Sequence, residues 1–244
     1  IQFKGVSLTY PDSGIVALKE VDFTLEPGQT LAVIGRTGSG KSTLAQMVAR
    51  LYDPSEGSIE IDGTPLPELS LSALRSAIGY VPQDVFLFSD SIRANIAFGV
   101  DNAAQLDVVQ AAKDADVHNN IIGFASGYDT LLGERGVNLS GGQKQRISIA
   151  RAILRKPRIL IFDDCLSAVD SETEATILGN LRRIMKDRTS ILVSHRVSTV
   201  KSADLILVID EGQIVERGNH DTLVAAGGLY ADLHQRQQKS EDPD

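Results

Sequence analysis

Hydrophobic and polar positions alternate in short blocks along residues 2–34. The segments FKGVSLT, EVDFTLEPG with its Pro-Gly turn, and the apolar run TLAVIG are typical of short strands. The pattern changes after the glycines at 35–40, where KSTLAQMVARLY carries Leu44, Met47, Val48 and Leu51 at helical spacing. This predicts a helix that buries one face, and SIEIDG and AIGYVP predict further strands.

From about Asp84 to Lys156 strand patterns give way to helical ones, in AAQLDVVQAAKDADV and GGQKQRISIARAILRKP. We interpret this part as a helical insertion into an α/β core. The runs RILIFDD, TSILVSH and ADLILVID then alternate with the helical SETEATILGNLRRIMK, which indicates a parallel sheet covered on both faces. The segment LILVIDEGQIVERG predicts a hairpin that turns at Glu211 and Gly212.

The chain has 244 residues, 42% of them hydrophobic, and no Pro- or Ser-rich linker, so we expect one domain with subdomains. We assign residues 1–83 and 157–234 to an α/β core with a β subdomain, 84–156 to a helical subdomain, and 235–244 to a polar, disordered tail.

The formal net charge of -8 argues against a broad nucleic-acid-binding surface. The single cysteine, Cys165, excludes an internal disulfide framework and suits a reducing cytosol. No apolar run approaches the roughly 18–20 residues that cross a bilayer. The chain begins at Ile1, already in a strand-like pattern, which suggests a piece of a longer protein.

A glycine-rich segment, GRTGSGKST, lies between a predicted strand and a predicted helix and matches G-x-x-x-x-G-K-[ST]. Glycines let the backbone wrap around phosphate oxygens, and the following helix adds its positive end. The alternative is a glycine-rich turn that only starts a helix. The predicted phosphate-binding residues are Gly35, Arg36, Thr37, Gly38, Ser39, Gly40, Lys41, Ser42 and Thr43.

The chemistry of this site needs a cation, a metal-binding hydroxyl and an acid. We expect Lys41 to reach the β- and γ-phosphates and Ser42 to ligate Mg²⁺. The buried strand RILIFDD ends in Asp163 and Asp164, and Asp163 would hold Mg²⁺ opposite Ser42. Two aspartates after a strand are otherwise a turn or helix cap, but the glycine loop favours the catalytic interpretation.

The segment LSGGQ, Leu139 to Gln143, followed by KQRISIARAIL, resembles the signature of the ABC (ATP-binding cassette) family. With the glycine loop and RILIFDD, the resemblance covers almost the whole chain. It implies a P-loop NTPase of RecA-like fold: a mostly parallel sheet core, an antiparallel β subdomain and an inserted helical subdomain. It also implies binding and hydrolysis of ATP with Mg²⁺.

The resemblance assigns further roles. Tyr10 is similar to the aromatic residue that stacks on adenine, although a strand tyrosine is the plainer alternative. Gln83 in YVPQD matches the glutamine that senses Mg²⁺ and the attacking water. Ser167 to Asp170 resembles the loop that touches the opposite subunit, and His195 matches the switch histidine at the γ-phosphate, where a lone histidine would otherwise be structural.

In this family the signature caps ATP bound by a partner's phosphate loop. Ser140, Gly141, Gly142 and Gln143 would therefore bind nucleotide in trans, with a second ABC domain as partner. The stretches SDSIRANIAFG and GYDTLLGERGVNLSGGQ resemble exporters, which implies an upstream transmembrane domain and a place at the cytoplasmic face of the membrane. Glu134 belongs to a stretch that contacts coupling helices in that group, and Phe86, Leu87 and Phe88 either line a docking groove or belong to the core.

The residue after the magnesium aspartate is normally glutamate, and here it is Asp164. Its carboxylate is one methylene shorter, so we expect slow hydrolysis. The change resembles the degenerate site of heterodimeric exporters; the alternative is a homodimer with reduced turnover. Two other functions compete: a soluble ABC-type ATPase of DNA repair or translation, and an importer ATPase subunit. The transported substrate is not readable from this sequence.

Overall fold

The computed structural model describes residues 1–133, 136, 138–167 and 169–241. The strands are β1 (Gln2–Thr9), β2 (Val16–Thr24), β3 (Thr30–Gly35), β4 (Glu56–Ile61), β5 (Thr64–Pro65), β6 (Ile78–Val81), β7 (Ile159–Asp163), β8 (Thr189–Val193), β9 (Leu205–Asp210) and β10 (Gln213–Gly218). The α-helices are α1 (Lys41–Val48), α2 (Leu71–Ala77), α3 (Ile92–Ala97), α4 (Gln105–Asp114), α5 (His118–Ile122), α6 (Gly141–Leu154), α7 (Ser171–Met185), α8 (Val197–Val200), α9 (His220–Ala226) and α10 (Leu229–Glu241).

The strands form two sheets. The larger has the order β10-β9-β3-β8-β7-β6, parallel throughout except for the antiparallel edge pair β10–β9. The smaller has the order β2-β1-β4-β5, and all of its pairs are antiparallel. The mostly parallel α/β core predicted from the apolar runs, and the antiparallel sheet implied by the family resemblance, are thereby confirmed.

The strand order brings the predicted site residues together at the carboxyl-terminal end of the strands of the larger sheet. β3, β8 and β7 are neighbours, and Val193 pairs with both Val33 and Asp163. Neighbouring parallel strands have their carboxyl ends on the same side of the sheet, so the segments that follow these strands lie side by side. The glycine loop, Asp164 and His195 therefore converge there, although they are far apart in the sequence.

Helix α1 packs in an apolar cluster with side chains from both sheets. Leu44, Met47 and Val48 are fully buried, as their spacing predicts. Leu51 is 52% exposed, so its assignment to the buried face is wrong. The helix ends at Val48, and Arg50 takes a left-handed conformation with φ of 50°, which turns the chain before Leu51 can join that face.

Helices α3–α6 lie between β6 and β7, inside the predicted insertion 84–156. Their apolar faces share one cluster with residues of β6 and β7, so this part packs on the edge of the larger sheet. The hairpin at Glu211 and Gly212 is confirmed, because both residues have positive φ and β10 pairs back on β9. Within the described residues, no helix is both long and apolar enough to cross a membrane.

The expected disordered tail differs from the structure. Gln235 to Glu241 continue helix α10, while 242–244 lie outside the described residues. The carboxylate of Glu216 accepts hydrogen bonds from the first N–H groups of this helix, and Tyr230 is fully buried. The side chain of Gln237 hydrogen-bonds to the backbone of His195 and Val197. These tertiary contacts order a segment whose composition is polar.

Candidate functional site

The phosphate loop closes tightly between β3 and α1 because two of its glycines touch neighbouring backbone. A Cβ on Gly35 would come within 2.0 Å of the Ile209 carbonyl oxygen. A Cβ on Gly40, where φ is 104°, would come within 2.4 Å of the Ala17 carbonyl oxygen. Only glycine fits such positions, so these residues set the path of the loop.

Lys41 is buried at the start of α1, and its ammonium group points into the phosphate loop. Nζ donates hydrogen bonds to the carbonyl oxygens of Gly35 (3.0 Å) and Arg36 (2.7 Å). Burial lowers the pKa of Lys41, and the nearby charges of Asp164 and Asp163 oppose that shift. The loop thus holds a cation inside the curve where phosphate oxygens would bind.

Ser42 and Asp163 face each other, as predicted for a magnesium site. Ser42 Oγ donates a 2.7 Å hydrogen bond to Oδ1 of Asp163, which ends β7 and is 2% exposed. A hydroxyl and a single carboxylate suit Mg²⁺, which keeps several waters and needs few protein ligands. The oxygen atoms of Ser42 and Asp163 therefore fit Mg²⁺ as ligands. A bound Mg²⁺ ion would neutralise charge on the phosphate oxygens.

Tyr80 is a site residue that the sequence analysis missed. Its hydroxyl donates a 2.8 Å hydrogen bond to Oδ2 of Asp163, so both carboxylate oxygens of Asp163 have partners. Burial, and then the charge of Asp163, raises the pKa of the Tyr80 hydroxyl. A signal existed in AIGYVP, since a tyrosine inside an otherwise apolar strand needs a hydrogen-bond partner.

Asp164 meets Gln83 and His195 next to Asp163. Gln83 Nε2 donates to Oδ2 of Asp164 at 3.3 Å, and His195 Nε2 lies 3.7 Å from the same oxygen. The backbone of Asp164 is left-handed, with φ of 46°, and its N–H donates to the Val193 carbonyl. Burial raises the pKa of Asp164, opposed first by His195 and then by Lys41. The run TSILVSH predicted a strand that ends at His195, but β8 ends at Val193, two residues earlier.

Lys41, Ser42, Gln83, Asp164 and His195 line one cleft of about 270 Å³. Tyr10 reaches the cleft from the smaller sheet. Its hydroxyl is 2.8 Å from Thr43 Oγ1, and its ring packs edge-on against Tyr52.

An apolar wall of the cleft, which the sequence analysis missed, lies beside Tyr10. It consists of exposed Ile15, half-buried Ala17 and, between them, Val16. The residues that line the cleft are Tyr10, Ile15, Val16, Ala17, Thr37, Gly38, Gly40, Lys41, Ser42, Thr43, Gln83, Asp164, Val193 and His195.

The signature residues start helix α6. Ser140 is the N-cap, and its side chain and that of Gln143 form a capping box that satisfies both backbone N–H groups. Ser140 and Gly141 are exposed at the positive end of a 14-residue helix. Of the described residues that line the cleft, none comes from 139–143. The structure therefore does not bring the signature to the chain's own phosphate loop.

Three other predictions concern the groove at Phe86 to Phe88, Glu134 and the segment 167–170. Leu87 is fully buried, whereas Phe86 and Phe88 are exposed, so the structure divides the predicted groove between core and surface. Phe88 stacks on Phe98, and Arg151 lies 5.7 and 5.6 Å from the centres of these two rings. Glu134, and Ala168 within the segment 167–170, lie outside the described residues.

The chain has relatives along nearly its full length. A family model described as "ABC transporter" matches residues 18–167. "ATP-binding cassette sub-family B member 6" of Xenopus tropicalis is 47% identical over 242 residues, which cover 99% of this chain and 28% of the relative. "Probable multidrug resistance ABC transporter ATP-binding/permease protein YheI" of Bacillus subtilis (strain 168) is 48% identical over 238 residues, which cover 98% of this chain and 41% of the relative.

A solved structure, "Structure of a bacterial Atm1-family ABC exporter with ATP bound", is similar with a TM-score of 0.94 and 43% identity. The similarity covers 97% of this chain and 42% of that chain. The chain therefore spans less than half the length of each of these relatives. With a family match over more than half of its length, and with a cleft that carries the phosphate loop and its acids, the chain belongs to the ABC transporter family, as an ATP-binding domain homologous to the ATPase domains of ABC exporters.

Proposed function

We propose that the chain is the ATP-hydrolysing motor of a membrane exporter, closing on a second ABC domain around ATP and opening after hydrolysis. The membrane-spanning part would precede it in the same protein and hold it at the cytoplasmic face of the membrane. The share of the relatives that the chain covers, 41% of an ATP-binding/permease protein and 42% of an exporter chain, leaves room for such a part.

The observation that carries this proposal is the convergence of three segments on one site. Lys41 and Ser42 come from the phosphate loop. Asp163 ends β7 across from them, and Asp164 follows it directly. His195 approaches Asp164 from the segment after β8. A cation, a metal-binding pair and an acid with two polar neighbours are the groups that phosphoryl transfer from ATP to water needs.

Each residue has a separate task in this mechanism. The backbone N–H groups of the loop and Lys41 would bind the β- and γ-phosphates, and Ser42 and Asp163 would hold Mg²⁺. Asp164 would orient the attacking water by accepting its hydrogen bond, because its carboxylate is the acid beside the phosphate loop. Gln83 already hydrogen-bonds to that carboxylate and would contact the water. His195 lies 3.7 Å from the carboxylate and would contact the γ-phosphate.

The second ABC domain supplies the missing side of the site. The exposed start of α6, with Ser140 and Gly141, is a helix N-terminus that suits an anion, yet it does not line the chain's own cleft. It would therefore cap the γ-phosphate of ATP bound by a partner. ATP favours the closed pair because both domains contact it, and hydrolysis removes that preference.

Hydrolysis at this chain's own site is slow, because Asp164 is one methylene shorter than the usual glutamate. A carboxylate set back by about 1 Å loses much of the benefit of positioning, on the order of 10²-fold in rate. The natural partner is then a different subunit, whose own site has glutamate and uses the intact signature of this chain.

The test is ATPase turnover of the complete protein, alone and co-expressed with a candidate partner encoded beside it. We expect the pair to turn over at least about tenfold faster than this subunit alone, since one of its sites has a correctly placed acid. Equal turnover by this subunit alone would contradict the heterodimer. If neither preparation binds or hydrolyses ATP, the proposed function itself is contradicted.

A further inference from the structure

The side chain of Gln237 in helix α10 contacts the segment that carries His195. Gln237 Nε2 donates a 2.6 Å hydrogen bond to the His195 carbonyl oxygen, and Gln237 Oε1 accepts a 2.7 Å hydrogen bond from the N–H of Val197. A glutamine amide has one donor side and one acceptor side, like a peptide group. It therefore pairs with the backbone on both sides of Arg196 as a neighbouring strand would.

This pairing acts where the backbone has left the sheet. β8 ends at Val193 and α8 begins at Val197, so His195 lies in the irregular connection between them. The N–H of Arg196 bonds to Ser194 Oγ at 3.0 Å. The Gln237 amide holds the carbonyl of His195 itself, and so restrains the peptide plane next to the imidazole.

Helix α10 is anchored firmly enough to hold the amide in place. Its first N–H groups bond to the carboxylate of Glu216, and Tyr230 in its first turn is fully buried. Tyr230 and Gln237 are seven residues apart, which places them on the same face of a helix. Leu233, between them, is partly buried in the same apolar cluster as Tyr230.

The Arg196 side chain is held separately from the opposite direction. Its guanidinium pairs with Glu174 of α7, which is 3% exposed and also accepts a hydrogen bond from Thr199. The segment is thus held by α7 through the side chain of Arg196 and by α10 through the backbone on either side of it. Of these contacts, the one from α10 is adjacent to the imidazole that approaches Asp164.

We infer that Gln237 is a positioning residue for His195, so that the C-terminal helix sets the geometry of the γ-phosphate side of the site. This rests on the proposed role of His195 in hydrolysis. Gln237 does not line the nucleotide cleft, so it acts only through the backbone that carries His195.

The test compares Gln237→Ala and Gln237→Glu with Gln238→Ala, a matched change at the exposed neighbouring glutamine. Glutamate keeps an acceptor for Val197 but cannot donate to the His195 carbonyl. We expect both Gln237 variants to lower ATP turnover about tenfold, because misplacement of a catalytic group by a fraction of an ångström is costly. ATP affinity and the melting temperature of Gln237→Glu should stay close to those of Gln238→Ala.

Two readouts separate positioning from general support of the fold. In a His195→Ala background, Gln237→Ala should lower turnover no further, since its effect passes through the imidazole. In the NMR spectrum of the 244-residue chain, the His195 imidazole signals should shift in Gln237→Ala and not in Gln238→Ala. An equal loss in the His195→Ala background, or unmoved His195 signals, would overturn the inference.

The same set distinguishes this inference from the proposed function. If His195→Ala alone leaves turnover unchanged, the role assigned to His195 is wrong, and with it the kinetic part of the inference. The NMR comparison still decides whether Gln237 positions the imidazole, because it does not depend on hydrolysis.

Discussion

The Tyr80 hydroxyl donates a 2.8 Å hydrogen bond to Oδ2 of Asp163, while the Ser42 hydroxyl donates one to Oδ1 of the same carboxylate. The bond from β6 fixes the plane of a carboxylate that ends β7, and leaves its other oxygen directed at the phosphate loop. Groups that orient a metal ligand in this way typically contribute about 10- to 100-fold in metal affinity.

Tyr80→Phe should therefore raise the Mg²⁺ concentration needed for half-maximal ATP binding by about tenfold. A titration of a fluorescent ATP analogue at increasing Mg²⁺ measures this. Tyr128→Phe removes a hydroxyl that contacts His118 in the helical region and is the matched control. If the two variants have the same Mg²⁺ requirement, Tyr80 does not orient Asp163 for the metal.

Lys41→Ala should weaken ATP binding by about 10- to 100-fold, because a charge-assisted contact to phosphate contributes about 1.5–3 kcal/mol. Equilibrium binding with Mg²⁺ present is the measurement. Lys19→Ala, on the exposed side of β2, keeps the same net charge as Lys41→Ala and should bind ATP like the unmodified chain. Unchanged affinity in Lys41→Ala would contradict the assignment of the phosphate site.

Asp164→Glu should raise turnover by on the order of 10- to 100-fold, because the extra methylene moves the carboxylate toward the attacking water. Asp164→Asn, which keeps the length and removes the charge, should lower turnover below that of the unmodified chain. Steady-state ATPase rates at saturating ATP check both. An Asp164→Glu variant that is no faster would show that the shorter side chain is not what limits hydrolysis.

Ser140→Asp should abolish ATP-dependent dimerisation without weakening ATP binding to a single chain. Aspartate keeps the N-cap of α6 but places a negative charge where the partner's γ-phosphate would bind. Light scattering with and without ATP measures the dimer.

Mixing Ser140→Asp with Lys41→Ala should restore part of the dimer. In a mixed pair, one phosphate loop and the signature opposite it are both intact. If Ser140→Asp alone dimerises with ATP like the unmodified chain, the signature does not act in trans.

The features that sequence analysis predicted best are local ones. The glycines of the phosphate loop, the start of α1 at Lys41 and the hairpin at Glu211 each depend on conformations of a few consecutive residues. Apolar runs such as RILIFDD likewise identify buried strands without knowledge of their neighbours.

The error at Leu51 is local to the end of α1, whereas the main omissions concern contacts between distant parts of the chain. Tyr80 and Asp163 are 83 positions apart, and Gln237 and His195 are 42 apart. Nothing near Gln237 in the sequence distinguishes it from exposed Gln238, and polar composition alone predicted disorder for this segment.

The amino-acid sequence by itself determined the α/β class, the phosphate loop and the acids at the end of β7, because backbone conformation and burial depend on local pattern. Only the tertiary structure decided which side chains hold Asp163 and His195 in place. Those choices follow from strand order and from the docking of α10, in which side chains distant in sequence satisfy each other's hydrogen bonds.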